Sequence, residues 1–142
     1  MNPTPTGQFR TVDEPDPSVE VTVVAQDAES AEICVTGELT EDARRPLVRV
    51  MTDLMLQVPG LRRVQLDTTG VAFMNSAGMS TLVQLQKMGQ PRGIELPLLV
   101  DSSVVARPLQ VSGLWRRFTI LDRREGHPPE THDAMPPGQE HS

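Results

Sequence analysis

The hydroxyl of Ser76 stands in the turn Asn75-Ser76-Ala77-Gly78, just ahead of a stretch with helical periodicity. At a helix start, a hydroxyl can accept a hydrogen bond from a free backbone N–H as a cap. Capping asks only for that geometry and is the plainer reading of Ser76. Thr68 and Thr69 are further hydroxyls upstream, although in a polar stretch such groups mostly satisfy the local backbone. Asp67 could serve an enzyme as a base, but no histidine, lysine or second carboxylate lies near it in sequence, which favours a structuring role. Cys34, the single cysteine, has no internal disulfide partner. It is either a packed small apolar residue or a thiol able to pair with a second chain. His127, His132 and His141 lie beyond residue 122, interleaved with prolines, and follow no zinc-ligand spacing.

The chemistry of an enzyme is hard to assemble from this set. There is no G-x-S-x-G elbow, H-E-x-x-H, P-loop or G-x-G-x-x-G, and residues 19–122 hold no histidine for acid–base work. No catalysis, cofactor or metal is expected. A formal net charge of −6 leaves no basic field for nucleic-acid phosphates. Aromatic residues are confined to Phe9, Phe73, Phe118 and Trp115, too few for a base-stacking platform. Apolar runs are far shorter than the roughly 20 residues of a membrane helix, and no apolar leader opens the chain. The expectation is a cytoplasmic protein, a monomer or weak homodimer, that works by binding other proteins.

The residues that could do chemistry must be positioned by the elements around them. A length of 142 residues corresponds to one domain. Residues 1–18 and 123–142 are rich in proline and acid, lack an apolar period, and read as disordered tails. In residues 19–122, Val19, Val21 and Val23 alternate with polar residues as a strand, and Ile33 and Val35 continue it as a hairpin. After Thr40, a suitable N-cap, the spacing of Leu47, Val48, Met51, Leu54, Met55 and Val58 predicts a helix ended by Pro59-Gly60. Val64 and Leu66 mark a third strand that runs out at Asp67 into a polar loop. A second helix, Ala77 to Met88, follows with Ser76 as its cap. Ile94 to Val100 predicts a fourth strand, in which Pro97 calls for an edge or a bulge. Val104 to Val111 predicts a short helix and Phe118 to Leu121 a last strand. Met51, Met55, Met74, Met79 and Met88 are read as core filling, with Met79 a binding residue if exposed. Arg116 and Arg117 beside Trp115 fit a partner patch and a helix C-terminus equally well. The order implies an α/β domain, a mixed sheet of about five strands with helices packed on it.

Three stretches carry a resemblance to a known family. The segment LDTTGVAFMNSAGM, residues 66–79, resembles the signature of the STAS domain, the module of bacterial anti-sigma factor antagonists. There, a strand ending in Asp and a hydroxyl residue leads to Asp-Ser-Ser/Thr-Gly at a helix start. The matching residues here are Asp67 and Thr68, then Asn75, Ser76, Ala77 and Gly78. VTGELTEDARRPL at 35–47 and LLVDSSVVARPLQVSGLWRRFTIL at 98–121 are similar to the family's other elements, in the same order. The resemblance implies a partner switch: the antagonist binds an anti-sigma factor that is also a serine kinase with an ATPase domain, and phosphorylation of the hydroxyl before the glycine ends binding. It implies a binding surface of Asp67, Thr68, Asn75, Ser76, Ala77, Gly78 and Met79. Ala77 departs from the pattern because it has no oxygen to phosphorylate, and Asn75 stands where the family has Asp. An antagonist without phosphorylation at the usual position, or with the site displaced to Ser76, is the resulting expectation. The alternative is a STAS accessory subunit of a transporter or stress-signalling assembly.

Overall fold

The computed structural model of the chain describes residues 18–124 and 130–132. Apart from residues 18, 123, 124 and 130–132, the expected tails lie outside the described residues, as do Phe9, His127 and His141. The elements are β1 (Val19–Gln26), β2 (Ser30–Leu39), α1 (Arg44–Gln57), β3 (Arg63–Met74), α2 (Ser76–Gly89), β4 (Leu98–Val100), α3 (Ser103–Ser112), β5 (Ile120–Asp122) and β6 (Glu130–His132). Short 3-10 turns occupy Glu41–Ala43, Gln90–Arg92 and Leu114–Arg117.

Asp27 closes the opening hairpin: its Oδ1 accepts hydrogen bonds from the backbone N–H of Glu29 and Ser30, at 2.9 and 2.8 Å, and from the Ser30 hydroxyl. These bonds to the ionised form, the one from Glu29 foremost, hold the Asp27 carboxyl below its ordinary pKa. The strands lie in the order β1-β2-β3-β4-β5-β6. β1 pairs antiparallel with β2, β2 to β5 run parallel, and β6 returns antiparallel to β5. Successive parallel strands stepping in one direction, with right-handed crossovers, put the intervening helices on one face. The burial pattern agrees. Ile33, Leu66, Leu98 and Ile120 are register partners across the sheet, and all four are fully buried beneath the helices. The neighbouring row, Cys34, Asp67, Leu99 and Leu121, points to the other face and is half-buried.

The mixed α/β sheet and its helices match the expected class, while several boundaries differ. Thr40 caps the 3-10 turn rather than α1, accepting from Asp42 N–H. Pro46 then falls in the first turn of α1, where a missing N–H costs no helical bond. At the other end of α1, the Arg92 guanidinium donates to the carbonyls of Met55, Val58 and Pro59. β4 is shorter than expected: before Leu98 the extended chain makes a single bridge, Arg63 to Glu95, because Pro97 has no N–H to give. β4 is nonetheless an interior strand, not an edge. Phe118 is a fully buried core residue ahead of β5 rather than part of it. The sheet also reaches past residue 122, since β6 places His132 opposite Ile120.

Candidate functional site

The largest departure from the sequence reading concerns β3. It does not run out at Asp67 but continues to Met74, so the segment 67–78 is mostly strand and helix. The polar residues Thr68, Thr69 and Gly70 are accommodated by register irregularities between Cys34 and Thr36 and between Gly37 and Glu38 on β2. Asp67 and Thr68 are therefore mid-sheet, whereas Asn75 to Met79 lie at the strand ends. Thr68 is 2% exposed, and its hydroxyl donates to the Leu99 carbonyl at 2.7 Å. It satisfies a buried backbone acceptor and presents nothing to a partner, which corrects its expected place on the binding surface. Asp67 accepts from the backbone N–H and hydroxyl of Thr69, at 2.9 and 2.7 Å, the structuring role that its sequence context favours.

The end of the sheet is built around Leu39. Its carbonyl accepts from Asn75 N–H at 3.2 Å, tying β2 to the start of α2. Leu39 also faces Met74 in register, and both side chains are buried. Gly78 comes so close that a Cβ there would lie 2.0 Å from the Leu39 oxygen. Gly78 is thus a buried packing point, not a contact surface. The cap of α2 is Asn75, not Ser76: the Asn75 Oδ1 accepts from Gly78 N–H at 3.0 Å, while its Nδ2 donates to Glu41 Oε1 at 3.3 Å. That second bond follows bonding to its own N–H as a cause that keeps the Glu41 carboxyl below its ordinary pKa. One amide therefore joins the 3-10 turn to the helix start.

With capping done by Asn75, the Ser76 side chain is exposed and Ala77 half-buried in the first turn. Met79 is half-buried against the core, with the Ser112 hydroxyl 3.7 Å from its sulfur. Phe73, at the end of β3, is 50% exposed. A large exposed aromatic beside a polar turn is the kind of group that anchors protein interfaces. Phe73 and Met74 are adjacent apolar residues, and no spacing rule tells the exposed position of the first from the buried one of the second.

Cys34 sits elsewhere, on the half-buried sheet face between Thr22 and Asp67. Burial, then the carboxylates of Asp67 and Glu32, push its thiol above the ordinary pKa. These surroundings are the opposite of those that make a thiolate reactive. Trp115 packs against the core, with the Arg124 guanidinium 5.7 Å from its ring centre. Arg124 also holds the buried Asp122 carboxylate at 2.9 Å. Among the described residues, no helix is long and apolar enough to cross a membrane.

Between α1 and α2 the surface opens into a groove. Arg44, Arg45, Val48 and Arg49 of α1 line it together with Gln84 of α2 and Glu41 of the 3-10 turn before α1. Through Arg44 and Gln84 it continues into a second hollow that includes Ser80, Val83, Lys87 and Leu114.

Known structures of similar shape include anti-sigma factor antagonists. One, from Mycobacterium paratuberculosis, shares 20% identity over 73% of this chain and 86% of that one, with a TM-score of 0.60. The anti-sigma factor antagonist SpoIIAA in its unphosphorylated form shares 20% identity over 75% of this chain and 90% of its own, with a TM-score of 0.62. The Bacillus cell fate determinant SpoIIAA in the phosphorylated form shares 18% identity over 75% and 93%, with a TM-score of 0.56. At these identities the likeness is one of fold. No curated protein gives a significant sequence match. The STAS domain family model matches residues 18–126, and the chain belongs to the STAS domain family.

Proposed function

We propose that this protein is an anti-sigma factor antagonist that binds an anti-sigma factor with a serine-kinase-like ATPase domain and is not switched by phosphorylation at residue 77. The binding surface is the end of β3 and the first turn of α2: Phe73, Asn75, Ser76, Ala77 and Met79. The observation that carries this reading is the half-exposed position of Ala77 in the first helical turn, between the exposed Ser76 and the buried Gly78. In the motif that residues 66–79 resemble, this position bears the hydroxyl that a kinase modifies. Its methyl group preserves the shape of a small residue there and removes the acceptor oxygen. A phosphate at that point would bring about −1.5 to −2 charges onto the surface, and Ala77 excludes this mode of release. Ser76 keeps an exposed hydroxyl one residue away, free of capping duty, and is the place to which such control would move.

The experiment compares the wild-type protein with Ala77→Ser and Ser76→Ala in binding to purified anti-sigma factor kinases, with and without ATP. The expected result is ATP-independent binding by wild type and ATP-sensitive binding by Ala77→Ser. Loss of wild-type binding on adding ATP, abolished by Ser76→Ala, would assign control to Ser76 instead. Failure of wild type to bind any anti-sigma factor, with membrane transporter subunits captured from extract, would transfer the protein to the accessory-subunit role.

A further inference from the structure

The groove between α1 and α2 gathers cations in a chain whose formal net charge is −6. Arg44, Arg45, Arg49 and Lys87 all line it, and none forms an ion pair with another described residue. Glu41, the one carboxylate in the lining, is occupied by its own backbone N–H and by Asn75. Arg44 and Arg45 also open α1 with no acidic residue in its first turn, although a helix N-terminus is stabilised by negative charge. Glu41 and Asp42, in the 3-10 turn that leads directly into α1, supply the negative charge at that end, so the groove's positive character rests on the side chains of Arg44, Arg45, Arg49 and Lys87 themselves.

We infer that this groove receives an acidic peptide segment of the anti-sigma partner, an assignment that rests on the proposed function. Three features favour a peptide over a small anion. The α2 side runs from Ser80 to Lys87, roughly 10 Å at 1.5 Å per residue, which is a peptide's dimension. Val48, Val83 and Leu114 provide apolar surface among the charges, suited to a segment mixing carboxylates with aliphatic side chains. Finally, Ser76, Ser80, Gln84 and Lys87 succeed one another at helical spacing along a single stripe of α2. The stripe makes the groove continuous with the proposed binding surface, so one partner can occupy both. Because the chain as a whole repels anions, binding of an acidic segment has to be local to this groove, and it should weaken steeply with salt.

The test uses the full-length protein and a fluorescein-labelled twelve-residue peptide of repeating Glu-Glu-Leu, followed by anisotropy. Wild type is expected to bind saturably, and the Arg45→Glu/Arg49→Glu double variant at least tenfold more weakly. Lys87→Glu, on the other helix, should lose affinity in the same direction. Arg62→Glu, in the connection between α1 and β3, should stay within twofold; circular-dichroism melts check that all variants fold. An equal loss from Arg62→Glu, or no saturable binding by wild type, overturns the inference. So does a tenfold gain on removing residues 1–17, which would assign the groove to the chain's own acidic N-terminal segment. The same variants are then measured against the anti-sigma factor. Binding unchanged in the double variant overturns the groove while sparing the proposed function. No binding by wild type, with the peptide still bound, overturns the proposed function and this partner together, the groove remaining an acidic-peptide site.

Discussion

Leu39 and Gly78 meet backbone to backbone, with room for a hydrogen but not for a methyl group: a Cβ on residue 78 would stand 2.0 Å from the Leu39 oxygen. The contact fixes where α2 begins relative to the end of β2, and hence where Ala77 faces. Gly78→Ala should force the helix away and destabilise the protein by about 1–3 kcal/mol, the usual cost of overpacking. Urea unfolding measures it. Ala77→Ser, one residue earlier and half-exposed, should change stability by less than about 0.5 kcal/mol. Equal stability of Gly78→Ala and wild type would show that the contact is not constraining.

Asn75 serves two neighbours at once, and two substitutions separate them. Asn75→Ala removes the acceptor for Gly78 N–H and should cost about 1 kcal/mol. Asn75→Asp keeps that acceptor but sets a carboxylate against Glu41 in place of a donor, so the Glu41 pKa should rise from its depressed position. The sign follows from linkage: a depressed carboxyl stabilises the fold above its unfolded pKa, and that contribution is lost as pH falls through the folded one. In Asn75→Asp the Glu41 contribution should therefore fade at a higher pH than in wild type. Carbon-detected NMR titration of Glu41 reads the shift; an unmoved or lowered pKa would contradict the bond.

Thr68 and Phe73 lie five positions apart on β3, yet they should respond in opposite ways. Thr68→Val leaves the Leu99 carbonyl without its donor and should cost about 1–3 kcal/mol of stability with binding of the folded protein unchanged. Phe73→Ala removes exposed surface, so stability should hold while affinity for the anti-sigma factor falls by tenfold or more, as for an aromatic hot spot. Denaturation and calorimetric binding together score both.

Cys34 should react slowly with iodoacetamide, because burial and two carboxylates disfavour its thiolate. Asp67→Asn removes one of those charges from the adjacent strand and should speed alkylation at pH 8. A rate that is unchanged, or a disulfide-linked dimer forming readily on non-reducing gels, would mean that the thiol is freer than its surroundings imply.

Much of this architecture was legible because periodicity reports burial. Leu47, Met51 and Leu54 recur at helical spacing and are buried in α1, and Ile33 and Val35 alternate into the core from β2. What periodicity misses is pairing. Thr68, Thr69 and Gly70 look like a loop by composition, and only the adjacent β2 backbone keeps them in the sheet. The cap of α2 was displaced by one residue because Asn75 and Ser76 are both good caps. The bond from Asn75 to Glu41 spans 34 positions that no local rule connects. Arg44, Arg45, Arg49 and Lys87 were visible as residues, but that they converge depends on the packing of two helices.

One feature of the outer strand bears on how the molecule behaves at high concentration. β1 is a margin of the sheet and exposes Val23 and Val24, a composition that invites pairing with the same strand of another molecule. Its pairing with β2 slips between Val23 and Ala25. Such a slip bends the strand and misaligns the outward-facing amides, so it denies neighbouring molecules a straight template and guards a narrow, apolar rim against fibrous polymerisation.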